Sequence, residues 1–171
     1  MSEMVEIGNK TLADFLNEQP DSTSRLDAAE AWIIANGGRV IGVGSSKDPE
    51  FKTGHTFTPG MYVRELFLPA GSVNVSKIHR TEHPFVVLVG RVSVYSDNDG
   101  AQHIRAPYFG ITRVGSRRLV VAHENTVWLT FHATDLKDVD EIEKMIIEKY
   151  KNPLITGRAG MDDSIGVGGE T

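Results

Sequence analysis

The sequence predicts a mainly β protein, an antiparallel jelly-roll barrel flanked by N-terminal and C-terminal α-helices. Three observations carry that expectation. Short β-rich runs recur through the middle of the chain with no helical pattern between them, turn-forming clusters separate those runs, and both ends show helical apolar spacing.

The elements follow in order. Thr11 with Asp14 reads as an N-cap pair ahead of Leu12, Phe15 and Leu16, and Pro20 stops that short helix. Ser22 or Ser24 then caps a second helix through Leu26, Ala29, Trp32 and Ile33, which Asn36-Gly37-Gly38 ends. Strands are expected at Arg39–Val43, Met61–Leu68, Val73–His79, Phe85–Val89, Arg91–Tyr95, Ala101–Ala106, Arg118–Ala122 and Val127–His132. Pro69-Ala70-Gly71, Asp97-Asn98-Asp99-Gly100, Val114-Gly115-Ser116 and His123-Glu124-Asn125 supply the turns between them. The polar stretch Phe51–Gly60 reads as a surface loop, or a lid over the barrel mouth. Asp138 precedes the helical stripe Val139, Ile142, Met145, Ile146 and Tyr150, with Lys149 and Lys151 in its last turn and Pro153 closing it. The organisation is thus residues 1–38 helical, 39–132 barrel, 133–153 helical, and a glycine-rich tail over 154–171 that is expected to be mobile.

Composition narrows the function. The 171 residues suffice for one core, and the absence of cysteine excludes disulfides, thiolate metal sites and a catalytic thiol. A formal net charge of −5 argues against duplex nucleic acid as a partner. The first residues lack the basic and apolar regions of a signal peptide, and no apolar run of about 18 residues exists, so no membrane partner and a cytoplasmic location are expected. The charge is unevenly spread. Residues 1–59 hold 5 basic and 9 acidic side chains, residues 60–132 hold 8 and 5, and residues 133–171 hold 5 and 9. The barrel segment is cationic between acidic flanks.

From Gly71 the chain runs through Lys77, His79, Glu82 and His83 to Gly90, and Gly115 stands three residues before Arg118. This resembles the two motifs of the cupin superfamily over roughly residues 60–132, with Gly71, His79 and Gly90 in the expected places. Metal-holding cupins are implied to point three histidines and a carboxylate into the barrel. Here Lys77 stands at the first histidine position, His83 at the carboxylate position and Arg118 at the last histidine position. Residues Ala106–Thr112 and Val127–His132 make the chain similar to small cupin-type proteins of tailed bacteriophages and prophages. That resemblance implies the bacterial cytoplasm and no particular activity.

Replacing metal ligands by fixed cations points to an anionic ligand, because a buried unpaired charge costs several kcal/mol (order of magnitude). Period-2 alternation puts Lys77 and His79 on one face, the interior if the resemblance holds. Arg113, Arg117 and Arg118 offer planar bidentate donors for phosphate or carboxylate, and Tyr108 with Phe109 offers rings to stack on. The bland alternative pairs Arg118 with Glu82, Glu124 or Glu65 and leaves the other arginines solvated. A divalent zinc, manganese or iron ion on His79, His83 and His132 is the competing reading, with Glu82 fixing a tautomer. His55, His103 and His123 read as hydrogen-bonded corner residues, and Trp32 and Trp128 as core anchors.

Three functions follow from the sequence. One is a non-catalytic protein that captures an anionic small molecule, for example a nucleotide signal of host defence. The second is a metal-dependent cupin enzyme of isomerase or dioxygenase type, and the third is a virion structural or assembly protein. No catalytic residue is assigned, no cofactor is expected under the first, and a homo-oligomer is expected because open sheet edges need cover.

Overall fold

The computed structural model describes residues 6–7, 10–11, 18, 22–35, 52–96, 100–149 and 152–155. Two short strands, β1 (Glu6–Ile7) and β2 (Lys10–Thr11), pair with each other, followed by α1 (Ser22–Ala35). A run of antiparallel strands comes next: β3 (Thr53–Thr58), β4 (Met61–Leu68), β5 (Val73–Val75), β6 (His83–Val89), β7 (Arg91–Ser96), β8 (Gly100–Arg105), β9 (Tyr108–Thr112), β10 (Arg118–Ala122) and β11 (Thr126–Ala133). The chain ends in α2 (Val139–Ile146) and a 3₁₀ turn at Pro153–Ile155.

The strand pairing identifies the architecture. β7 pairs with β8, β6 with β9, β5 with β10 and β4 with β11, so β4 to β11 form one long nested hairpin. Rolling that hairpin brings β10 against β7 and β11 against β6. Two sheets result, β5-β10-β7-β8 and β3-β4-β11-β6-β9. This is a jelly roll, as expected from the sequence.

Alternation along the strands fills the interior. One half is apolar, with Leu68, Phe85, Val87, Val92, Val94, Ile104, Val120, Ala122 and Trp128 in one cluster. Each fully buried side chain of this size contributes about 1.5–3 kcal/mol. The tight β6–β7 turn requires Gly90, which sits at φ 96°; a Cβ there would lie 2.4 Å from Thr126 Oγ1. On the outer face of the four-stranded sheet, Leu26, Ala29 and Ile33 of α1 pack on Val75 and Leu119, with Trp32, Val73 and Tyr95 around them. At the barrel mouth, Ile142 and Ile146 of α2 and Ile147 pack on Tyr62, with Phe57 and Met145 alongside. Asp138 caps α2 by accepting from Glu141 N, as its position in the sequence predicts.

Several expectations are corrected. Within the expected loop Phe51–Gly60, Thr53–Thr58 is a strand that pairs in register with β4 across a Pro59-Gly60 turn, and Phe51 lies outside the described residues. The strand expected over Val73–His79 stops at Val75. The chain then leaves the sheet to meet α2, where Glu148 N donates to Ile78 O, Arg80 N donates to Ile146 O, and His79 bridges Ile147. The same contacts end α2 at Ile146, short of Tyr150, with Ile147 already extended. Tyr108–Thr112 is a strand that the turn-rich sequence around Pro107 obscured. The expected strand Arg39–Val43, the helix through Leu12 and Leu16, the C-cap at Asn36–Gly38 and the glycine-rich tail from residue 156 lie outside the described residues.

Candidate functional site: a cationic, imidazole-lined end of the barrel

The half of the barrel beneath α2 is polar. Each side chain arrives there by strand alternation: Tyr62 and Arg64 from β4, Thr130 and His132 from β11, His83 from β6, Thr112 from β9 and Arg118 from β10. His79 joins them from the segment that leaves β5. All but His79 are buried, Arg64 to 7% exposure and Arg118 to 8%.

Three imidazoles touch in sequence. The ring centres of His79 and His83 are 4.8 Å apart, and those of His83 and His132 are 4.3 Å apart. Tyr62 extends the stack, 5.9 Å from His132 and 5.3 Å from Phe57. Burial is the main force on their protonation. It lowers His79 to about 3, helped by His83, Arg118, His132 and Arg64, and lowers His132 to about 3, helped by His83 and Arg64. His83 is lowered by burial too, against a hydrogen bond to the Thr81 carbonyl that raises it. The three rings are therefore neutral at physiological pH. Because a carbonyl only accepts, His83 Nδ1 carries the proton it donates to Thr81 O at 3.1 Å. Its Nε2 is then a buried lone pair without a partner, and His79 Nδ1 and His132 Nδ1 also lack one.

The guanidiniums complete the site. Arg118 donates to Thr112 Oγ1 at 2.7 Å and to Ile111 O at 3.4 Å, and lies 4.9 Å from the centre of the Phe85 ring. Arg64 Nε donates to the Tyr62 hydroxyl at 3.1 Å, and that hydroxyl hydrogen-bonds His55 Nδ1 at 2.7 Å. Arg64 Nη2 is buried with no hydrogen-bond partner. Glu143 of α2 is half-buried over this end; desolvation raises its carboxyl, while Arg64 and Lys77 pull it down.

The sequence-derived residues divide. His79, His83, His132 and Arg118 come together. Lys77 stays partly buried outside the strand alternation that was to aim it inward, its charge felt by Glu143. Arg117 faces the other way and is buried in ion pairs with Asp27 and Glu30 of α1, an arrangement that pins the helix to the barrel. Arg113 is exposed at the β9–β10 turn, and Tyr108, 38% exposed, lies against Phe85 at 6.0 Å. Arg64, Tyr62 and His55 were not foreseen. The available signal was register: Tyr62, Arg64, Leu66 and Leu68 share one face of an alternating strand, so a cation occupies a core position.

A divalent ion would need several donors converging on one point. Among the described residues no group of three histidine or acidic side chains meets that requirement. Arg64 and Arg118 also set positive charge beside the same rings, which opposes a cation.

No family model matches the chain and no curated sequence matches it. Solved structures similar to it include an uncharacterised conserved protein with a double-stranded β-helix domain from Klebsiella pneumoniae, at 16% identity and TM-score 0.44, covering 56% of this chain and 90% of that one. The cupin domain of Schizosaccharomyces pombe Cnp3 is similar at 21% identity and TM-score 0.43, over 67% and 81%. A variant of salicylate 1,2-dioxygenase from Pseudoaminobacter salicylatoxidans shares 11% identity at TM-score 0.48, over 82% of this chain and 42% of that one. The jelly roll itself rests on the nested strand pairing. No helix among the described residues is long and apolar enough to cross a membrane.

Proposed function

We propose that the protein binds a small anion in the polar end of its barrel, with Arg64 and Arg118 as the charged anchors. The observation that carries this reading is Arg64 Nη2, a buried guanidinium nitrogen with no partner. A buried donor left unmade costs about 1–3 kcal/mol, more when charged, and a carboxylate or phosphate oxygen would satisfy it. The neutral imidazoles refine the ligand class. His83 Nε2 can only accept, so the favoured ligand carries a hydroxyl or amino donor beside its anionic group. Hydroxycarboxylates, sugar phosphates and nucleotides all meet that description.

Native mass spectrometry of the purified chain tests the reading, with and without chelator, against inorganic phosphate, 2-hydroxycarboxylates, sugar phosphates and mononucleotides. Retention of an unmodified anion is expected, and Arg118→Ala should abolish it while the circular dichroism spectrum stays unchanged. About one transition metal per chain by elemental analysis, or unaltered anion binding by the variant, would overturn the proposal.

A further inference from the structure

On the outer face of the four-stranded sheet, α1 packs over Leu119, Tyr95, Val73 and Val75. The next two rows of the same face lie outside that cluster. Ser93 stands opposite His103, Arg91 stands opposite Arg105, and His123, just past β10, donates its backbone N–H to Arg91 O. The Ser93 hydroxyl joins the two rings: Oγ is 2.6 Å from His123 Nε2 and 2.8 Å from His103 Nδ1. A serine hydroxyl has one proton to donate, so no more than one ring can accept it and the other donates to the same oxygen. An activated serine needs that pairing: a base on its proton, and a donor for the negative charge that develops as the proton leaves. The group is open to solvent, with Ser93 and His123 half-buried and His103 exposed.

The arginines indicate the substrate. Like charges directly opposite on two strands are unfavourable, and Glu124 answers one of them, with Oε1 3.4 Å from Arg91 Nε. Arg105 is exposed and makes no ion pair among the described residues. It lies two residues from His103 on the same face, where its planar donors suit a phosphate group beside Ser93. A sheet face has no walls to enclose an acyl chain, so the substrate's own charge must hold it there. We propose that Ser93 is a nucleophile that takes the acyl group of an acyl phosphate. Ser93 Oγ bonds to the acyl carbon as the bond from that carbon to the phosphate oxygen breaks. The hydroxyl proton passes to His123 Nε2, the nearer ring, and then to the departing phosphate, whose charge Arg105 holds. His103 Nδ1–H donates to Oγ while it carries negative charge. The products are an O-acyl serine and free phosphate.

Acetyl phosphate incubated with the full chain tests the proposal, read by intact mass and peptide mapping. An acetyl group is expected on Ser93, and neutral hydroxylamine should remove it, because that reagent cleaves esters and spares the amides formed on lysine. His123→Gln should slow labelling about 100-fold, the lower range for a general base. Arg105→Gln should slow it about fivefold, as for an exposed charge pair, and should slow labelling by the uncharged p-nitrophenyl acetate less. Arg113→Gln, an exposed arginine at the β9–β10 turn, should leave both rates unchanged. Label that resists hydroxylamine throughout, or Ser93 acetylated no faster than the chain's other serines, overturns the proposal without any variant having to fold. A His123→Gln chain that labels at the wild-type rate, with its far-ultraviolet spectrum retained, overturns it too. Equal slowing of both probes by Arg105→Gln overturns the assignment of an acyl phosphate.

Discussion

Arg64 shows why a buried charge is informative. Its guanidinium has one neutral hydrogen bond, to Tyr62, and an edge with none. A buried guanidinium short of partners carries a desolvation cost that a well-packed apolar side chain does not. Arg64→Met should therefore leave urea stability unchanged or raised, while anion affinity measured by calorimetry falls at least tenfold. A loss of more than about 2 kcal/mol would instead make Arg64 a structural residue. The imidazoles make a second prediction at this scale. His79 and His132 sit near 3 in the folded chain against 6.5 when unfolded. Between those values the unfolded chain holds more protons, so stability is full above pH 6.5 and falls as pH drops towards 3. The slope approaches about 1.4 kcal/mol per pH unit for each imidazole. Urea midpoints measured from pH 7.5 to 4.5 should show it, and His132→Phe should flatten the profile. A profile flat in the wild type would mean the rings are protonated in place.

At the scale of elements, α1 is held by charge as well as by packing. Arg117 reaches two carboxylates of that helix, and Asn152 donates to Asp27 O at 2.8 Å and Glu30 Oε2 at 2.9 Å. Arg117→Met leaves both carboxylates buried without their cation, so a loss of about 3–5 kcal/mol is expected in urea unfolding. Adding Asp27→Asn and Glu30→Gln should restore part of it; no recovery would mean that the arginine acts through packing alone. Sequence reading located α1, the α2 cap and most strands because each has a local signature: Asp138, the alternation in Met61–Leu68, the Val114-Gly115-Ser116 turn. It failed where partners distant in sequence decide. Ser76 and His79 bond to Arg118, Ser116 and Gly115, while Ile78 and Arg80 take partners at Glu148 and Ile146, over sixty residues later, and no local signal announces those. Likewise Arg117 and Arg118 are adjacent and chemically identical, and only the sheet's two faces send one to α1 and the other into the barrel. Gly110 is a further case. A Cβ there would lie 2.4 Å from the Phe85 ring, a close approach set by register with β6.

Across the whole molecule, electrostatics set an unusual condition for an anion binder. The formal charge is −5 even though Arg64 and Arg118 are counted in it, so the surface that an anion first meets is more negative than the total. A ligand held by an exterior basic patch binds faster and tighter at low salt. A ligand held inside this barrel must cross a repelling surface and then meet cations that salt barely screens. The Debye length shrinks from about 30 Å at 0.01 M to about 8 Å at 0.15 M. Association should therefore quicken two- to fivefold over that range, with dissociation nearly constant. Stopped-flow binding of the anion retained in mass spectrometry measures both rates. The opposite trend, affinity falling steeply with salt, would move the site to the exposed Arg113 and the partly buried Lys77. The α2 helix sets the remaining barrier, since Ile142 and Ile146 close the mouth over Tyr62. Ile146→Ala should raise association and dissociation rates together, leaving their ratio and the salt trend in place. A change in the ratio alone would show that α2 contacts the ligand and does not merely cover it.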